Sequence, residues 1–206
     1  TDVYVVFFPL LITWLFLEAF EAKELKKKLA WISGAGIATG IFSIAWSGWW
    51  YVSDFILGTI VIYLVYLLFQ NRQKIKETFV QPTYVLLTYF ITSSIIVTLF
   101  NNLKTVYNGL MGPFSFMQMK AVAVDSLWPN IYTTVAELNV VPLSPVIEQL
   151  GGKLLFFLAI VGIILTFLKK DEKGQFDVKL PIFLIIWFIA SLYATTKGMR
   201  FILQAI

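Results

Sequence analysis

A chain of 206 residues that is 59% hydrophobic and only 14% charged cannot hide its apolar surface inside a soluble core. It contains neither cysteine nor histidine, which excludes disulfides, thiol nucleophiles, Cys/His zinc sites and histidine proton relays. The net charge is +4, but the basic residues are grouped and not interleaved with aromatics along a surface, so no nucleic-acid partner is expected.

Six apolar segments are predicted to cross a bilayer, a crossing that takes about 20 mostly apolar residues, and they define an all-α polytopic transmembrane helix bundle. The first runs over residues 3–20, has no basic start or small-residue cleavage site, and is read as a span and not as a signal peptide. Pro9 is placed in its first turn, where a proline forfeits little hydrogen bonding. Glu18, Glu21 and Glu24 then alternate with Lys23, Lys26, Lys27 and Lys28 as a solvated face with i,i+3 and i,i+4 pairs. Residues 29–46 and 54–69 form a helical hairpin turned at Ser47-Gly48-Trp49-Trp50. Within it, Gly34 and the Gly36-Ile37-Ala38-Thr39-Gly40 stripe predict close packing inside the bundle. Asp54 stands at the mouth of the second helix of the hairpin; the centres of the spans are otherwise free of charge.

Arg72, Lys74 and Lys76 occupy the next connection, followed by a span at 82–100 and a long polar loop over about 101–151. In that loop, Thr105–Val124, with Gly109, Gly112 and Pro113, is the stretch able to form short or re-entrant helices. Spans at 152–168 and 180–196 complete the chain, with Lys169, Lys170, Lys173 and Lys179 around their connection and Pro181 in the first turn of the last. Eleven of the sixteen basic residues thus fall on one side, which the positive-inside rule makes cytoplasmic. The turn near 47–53, the loop 101–151, and the two ends near Asp2 and Arg200 are then external.

Asp2, Glu137 and Arg200 are expected to meet that external face although they are far apart in sequence. Each alone also fits an ordinary role: a solvated end, a loop residue, a snorkelling anchor. Together, two carboxylates and a guanidinium match a divalent cation bound to a phosphate group. The most informative stretch is Trp128-Pro129-Asn130-Ile131-Tyr132-Thr133-Thr134-Val135-Ala136-Glu137-Leu138-Asn139, a polar loop between blocks of membrane-grade hydrophobicity. It resembles the fifth external loop of the archaeal-type catalytic subunit of oligosaccharyltransferase, with Thr134-Val135-Ala136-Glu137 similar to that family's Thr-Ile-x-Glu-type motif. Thr1-Asp2-Val3-Tyr4 resembles the tail of its second Asp-x-Asp motif, and Gly198-Met199-Arg200-Phe201 resembles the late helix whose arginine faces the lipid-linked donor. The three stand in the family's order along the chain.

The resemblance implies a GT-C type glycosyltransferase that moves an oligosaccharide from a dolichyl phosphate or pyrophosphate carrier to Asn of an Asn-x-Ser/Thr sequon. It implies Asp2 and Glu137 as catalytic and metal-binding residues for Mn²⁺ or Mg²⁺, with Glu137 also positioning the acceptor asparagine. It implies Arg200 as the holder of the donor phosphate, and Tyr51 and Ser53 as further donor contacts. Trp46, Trp49, Trp50 and Tyr51 equally form an interfacial aromatic belt. The implied partners are a lipid-linked oligosaccharide, an acceptor polypeptide, membrane lipid and the remainder of the same enzyme, in the cell membrane with the active face outside. The family's earlier helices and soluble carboxyl-terminal domain are not in this stretch, which by itself is expected to be inactive. The rival classes are a transporter or channel, or a noncatalytic membrane scaffold.

Overall fold

A computed structural model describes residues 2–70, 75–117, 142–170 and 176–198. Among the described residues the architecture is all-helical, with one isolated antiparallel bridge, Lys170 to Phe176, in place of any sheet. Two compact units divide the chain, residues 1–112 and 113–206.

The first unit opens with α1 (Asp2–Glu21), α2 (Leu25–Ala45), α3 (Trp50–Gln70) and α4 (Ile75–Phe100). Each contains a stretch long and apolar enough to span a bilayer. The predicted 29–46 and 54–69 segments prove longer, 21 residues each, because the flanking Leu25–Lys28 and Trp50–Ser53 join their helices. The predicted turn forms where expected: Trp46 caps α2 in extended conformation and residues 47–49 lead into α3. Gly48 lies under the Trp46 indole, where any side chain would collide with the ring.

Two boundaries differ from expectation. Pro9 lies inside α1, beyond its first turn, so the helix forgoes one backbone bond there. α4 begins at Ile75, seven residues before Pro82, so Lys76 is helical and not part of the connection. Apolar content marks the span itself, now Phe79–Phe100, but is blind to a polar first turn.

The core of this unit is the pair α2 and α4. A Cβ on Gly36 would strike Thr92, and one on Gly40 would strike Ile96, so the small-residue stripe brings two helices into near-backbone contact within one bundle, as predicted. The fully buried Tyr89 hydroxyl meets Thr39 Oγ1 at 2.9 Å, and Asn101 Nδ2 donates to Ser43 Oγ at 3.0 Å at the helix ends. α1 lies against α2 through Phe8 on Phe42 (5.4 Å, stacked) and Trp14 on Trp31 (5.6 Å, edge-on), and reaches α3 through Phe20 on Tyr63. In the connection after α1, Lys27 pairs with Glu24 at 3.3 Å, one of the predicted i,i+3 pairs, and is too exposed to add much stability.

A short amphipathic helix, α5 (Leu103–Leu110), follows α4. Asn102 caps it, its Oδ1 accepting from Thr105 N at 2.8 Å and Thr105 Oγ1 at 3.0 Å. Part of the predicted 101–151 loop is therefore helical.

The second unit contains α6 (Leu143–Gln149), α7 (Gly152–Thr166) and α8 (Lys179–Lys197), packed on one another. α8 is a fifth candidate span, and Pro181 occupies its first turn as predicted. The predicted sixth span is shorter: α7 has 15 residues, about 22 Å at the helical rise, below the roughly 30 Å of hydrocarbon. It reaches span length only together with α6, which meets it at 86°. Gly151 and Gly152, at φ 101° and 84°, make that bend in a region that side chains disfavour. Beyond α7, Lys170 Nζ lies 5.7 Å from the Phe176 ring centre, and Asp177 Oδ1 accepts from Lys179 N at 3.2 Å at the start of α8.

Candidate functional site

Several buried polar side chains of the first unit lie where α3 begins. The hairpin turn delivers Tyr51, Ser53 and Asp54 on the first turns of α3, and the α2–α4 contact fixes which face of α4 they meet. Tyr51 is 5% exposed, edge-on to Trp46 at 5.8 Å and to Phe55 at 5.6 Å. Ser53 is 6% exposed and within reach of the Tyr89 hydroxyl. Both donor-contact candidates are thus held within the protein, Tyr51 as a wedge among aromatics and Ser53 in a hydroxyl chain with Tyr89 and Thr39.

Beside them a small cleft, with room for about one water molecule, lies between α3, α4 and α5. Ser53, Asp54, Ser93 and Ser94 supply its polar wall, and Trp49 and Phe90 line its apolar side. The Asp54 Oδ2 atom is buried with no hydrogen-bond partner. One carboxylate among three hydroxyls accepts hydrogen bonds from water or from a donor group. It would repel a phosphate, and a divalent ion needs more oxygen charge than one carboxylate brings. The sequence set Asp54 at the mouth of its helix, whereas α3 starts at Trp50 and carries it in the second turn, and the cleft stayed hidden because two of its walls come from Ser93-Ser94 and from α5, 39 or more positions away.

The other predicted residues stand differently. Asp2 begins α1 as backbone, and its side chain lies outside the described set. Thr134, Val135, Ala136, Glu137 and Arg200 lie outside the described residues altogether. Among the described residues, no group of three or more acidic side chains comes together. The structure therefore brings Tyr51 and Ser53 together at the head of α3, and the set of Asp2, Glu137 and Arg200 stays a sequence expectation.

Five candidate spans, six if the bent α6–α7 pair is one, define a multi-pass helical membrane protein, with a small cleft in its first unit near the head of α3. The model of the family described as "Oligosaccharyl transferase STT3, N-terminal" matches residues 1–206, and the chain belongs to that family. It is 28% identical over 225 aligned residues to the dolichyl-phosphooligosaccharide-protein glycotransferase of Methanococcus voltae, an alignment covering 94% of this chain and 24% of that protein. It is 32% identical over 177 residues to the protein of the same name in Methanocaldococcus jannaschii, covering 81% of this chain and 19% of the relative. The chain thus spans a quarter or less of the length of these curated relatives. No solved structure matches it significantly.

Proposed function

We propose that this chain is part of the membrane domain of an enzyme that transfers an oligosaccharide from a dolichyl phosphate or pyrophosphate carrier to Asn of Asn-x-Ser/Thr sequons. One observation carries the reading: the family match runs the whole length of the chain, and the motif-like Thr134-Val135-Ala136-Glu137 falls within it. The name shared by both archaeal relatives supports the donor and the acceptor classes. The transporter reading gains nothing from the spans, whose charged residues lie near the helix ends among the described residues, Asp54 in the second turn of α3 being set furthest inward.

Asp2 and Glu137 offer the hard carboxylate oxygens that Mn²⁺ or Mg²⁺ prefers, in a chain without softer ligands. When bound, such an ion neutralises the charge developing on the leaving phosphate oxygen. Arg200 adds a planar fork of donors to the same phosphate, and Glu137 accepts from the N–H groups of the acceptor amide, orienting a poor nucleophile. The grouping of lysines on the opposite side supports an external working face in the cell membrane.

The test is glycosylation of an Asn-x-Thr peptide in membranes containing the full-length parent. Glu137→Gln and Arg200→Ala are each expected to lower transfer at least about tenfold, a loss near 1.4 kcal/mol of transition-state stabilisation. Chelation by EDTA should abolish transfer and added Mn²⁺ restore it. Unimpaired transfer in both variants at wild-type expression would refute the assignment.

A further inference from the structure

The helix α5 divides into three faces. Val106 and Gly109 are buried, and Gly109 approaches the hairpin turn so closely that a Cβ there would sit 2.9 Å from the Trp49 ring. Lys104 and Asn108 form an exposed polar edge. Between the two lies an exposed apolar arc, Leu103, Tyr107, Leu110 and Met111, at i, i+4, i+7 and i+8. Leu103 and Tyr107 are 71% and 61% exposed, and with Leu110 and Met111 they make a contiguous apolar patch and not scattered single residues.

Two observations say what covers this arc. First, α5 starts three residues after Phe100, the last residue of a candidate span, and packs on the turn that joins two other candidate spans, so the helix lies at the depth of the headgroups. Second, the span that α5 follows leaves Leu87, Ile91, Ile95 and Leu99 exposed, as a helix facing lipid does, and Leu99 and Phe100 at its end are 73% and 61% exposed just before α5 begins. We propose that α5 is an interfacial anchor whose Leu103–Tyr107–Leu110–Met111 face is inserted into the bilayer, about 5–10 Å into the headgroup and acyl boundary, with Lys104 and Asn108 toward water. The anchor ties down the segment through which the chain leaves the bundle, independently of any reaction.

Spin labels at single cysteines replacing Leu103, Tyr107, Met111 and Asn108 test this in the full-length parent, made cysteine-free and placed in phosphatidylcholine nanodiscs. Collision with oxygen, which partitions into lipid, is compared with collision with a water-soluble nickel chelate. The ratio is expected to be at least about fivefold higher at 103, 107 and 111 than at 108, reflecting burial in the acyl boundary. Equal ratios at all four positions would place the face in water and overturn the proposal. Labels at 103 and 107 reached by neither quencher would also overturn it, by showing another part of the parent protein on that face.

Discussion

Gly36 and Gly40 set the separation of α2 and α4, and alanine substitutions read out that separation quantitatively. Alanine at a helical glycine ordinarily stabilises by about 0.5–1 kcal/mol, because the unfolded chain loses freedom. Gly58 in α3 has nothing within 4 Å of its would-be Cβ, so Gly58→Ala should show this gain undiminished. At Gly36 the new methyl would meet the Thr92 side chain and, at 3.1 Å, the backbone nitrogen of Ser93. At Gly40 it would meet the branched Cβ of Ile96, with backbone 3.4 Å away. Neither neighbour is the free end of a flexible side chain, so the helices must part, an overpacking cost of about 1–3 kcal/mol. The same substitution should therefore differ between Gly58 and either stripe position by roughly 1–3 kcal/mol, the overpacking cost, because the gain through the unfolded chain is common to all three. The measurement is equilibrium unfolding of the full-length parent by SDS in mixed micelles, followed by circular dichroism. If Gly36→Ala and Gly40→Ala unfold at the midpoint of Gly58→Ala, α2 and α4 do not pack through this stripe and the core is wrongly described.

Two further substitutions probe polar contacts that hold the cleft. Tyr89→Phe removes the 2.9 Å contact with Thr39 and should cost about 0.5–1.5 kcal/mol in the same assay, with a double-mutant cycle against Thr39→Val assigning most of it to the pair; independent, additive losses would refute the contact. Asn102→Ala deletes the cap of α5 and should cost about 1 kcal/mol, seen as faster amide exchange confined to residues 103–110, whereas unchanged exchange there would show that the helix is held from elsewhere.

The spans were legible because lipid imposes a length and an apolar composition that few other contexts impose, and five of six predicted segments match long helices within a few residues. What the sequence hid is which face of each helix meets protein. In a soluble helix, the apolar side is the buried side, but here lipid and core are equally apolar. Ile91 and Ile95 lie exposed on α4 while Tyr89 and Ser93 are buried on it, the reverse of a polarity argument. Size replaces polarity as the signal: Gly36 and Gly40 revealed their partner face, and α7, with no buried residue and only Ala159 and Gly162 small in its interior, offered no such stripe. At the membrane boundary polarity becomes readable again. Asn102, three residues before Thr105, is a helix-start pattern, and Leu103, Tyr107, Leu110 and Met111 repeat at helical spacing, so α5 was available to a reading that treated residues 101–117 as interface and not as loop. The site divides along the same line. Its cleft depends on which face of α4 turns toward Asp54, a matter of packing. Glu137 and Arg200 stood out for another reason, because with Asp2 they make a set of opposite charges on one expected face and stand in motif-like stretches.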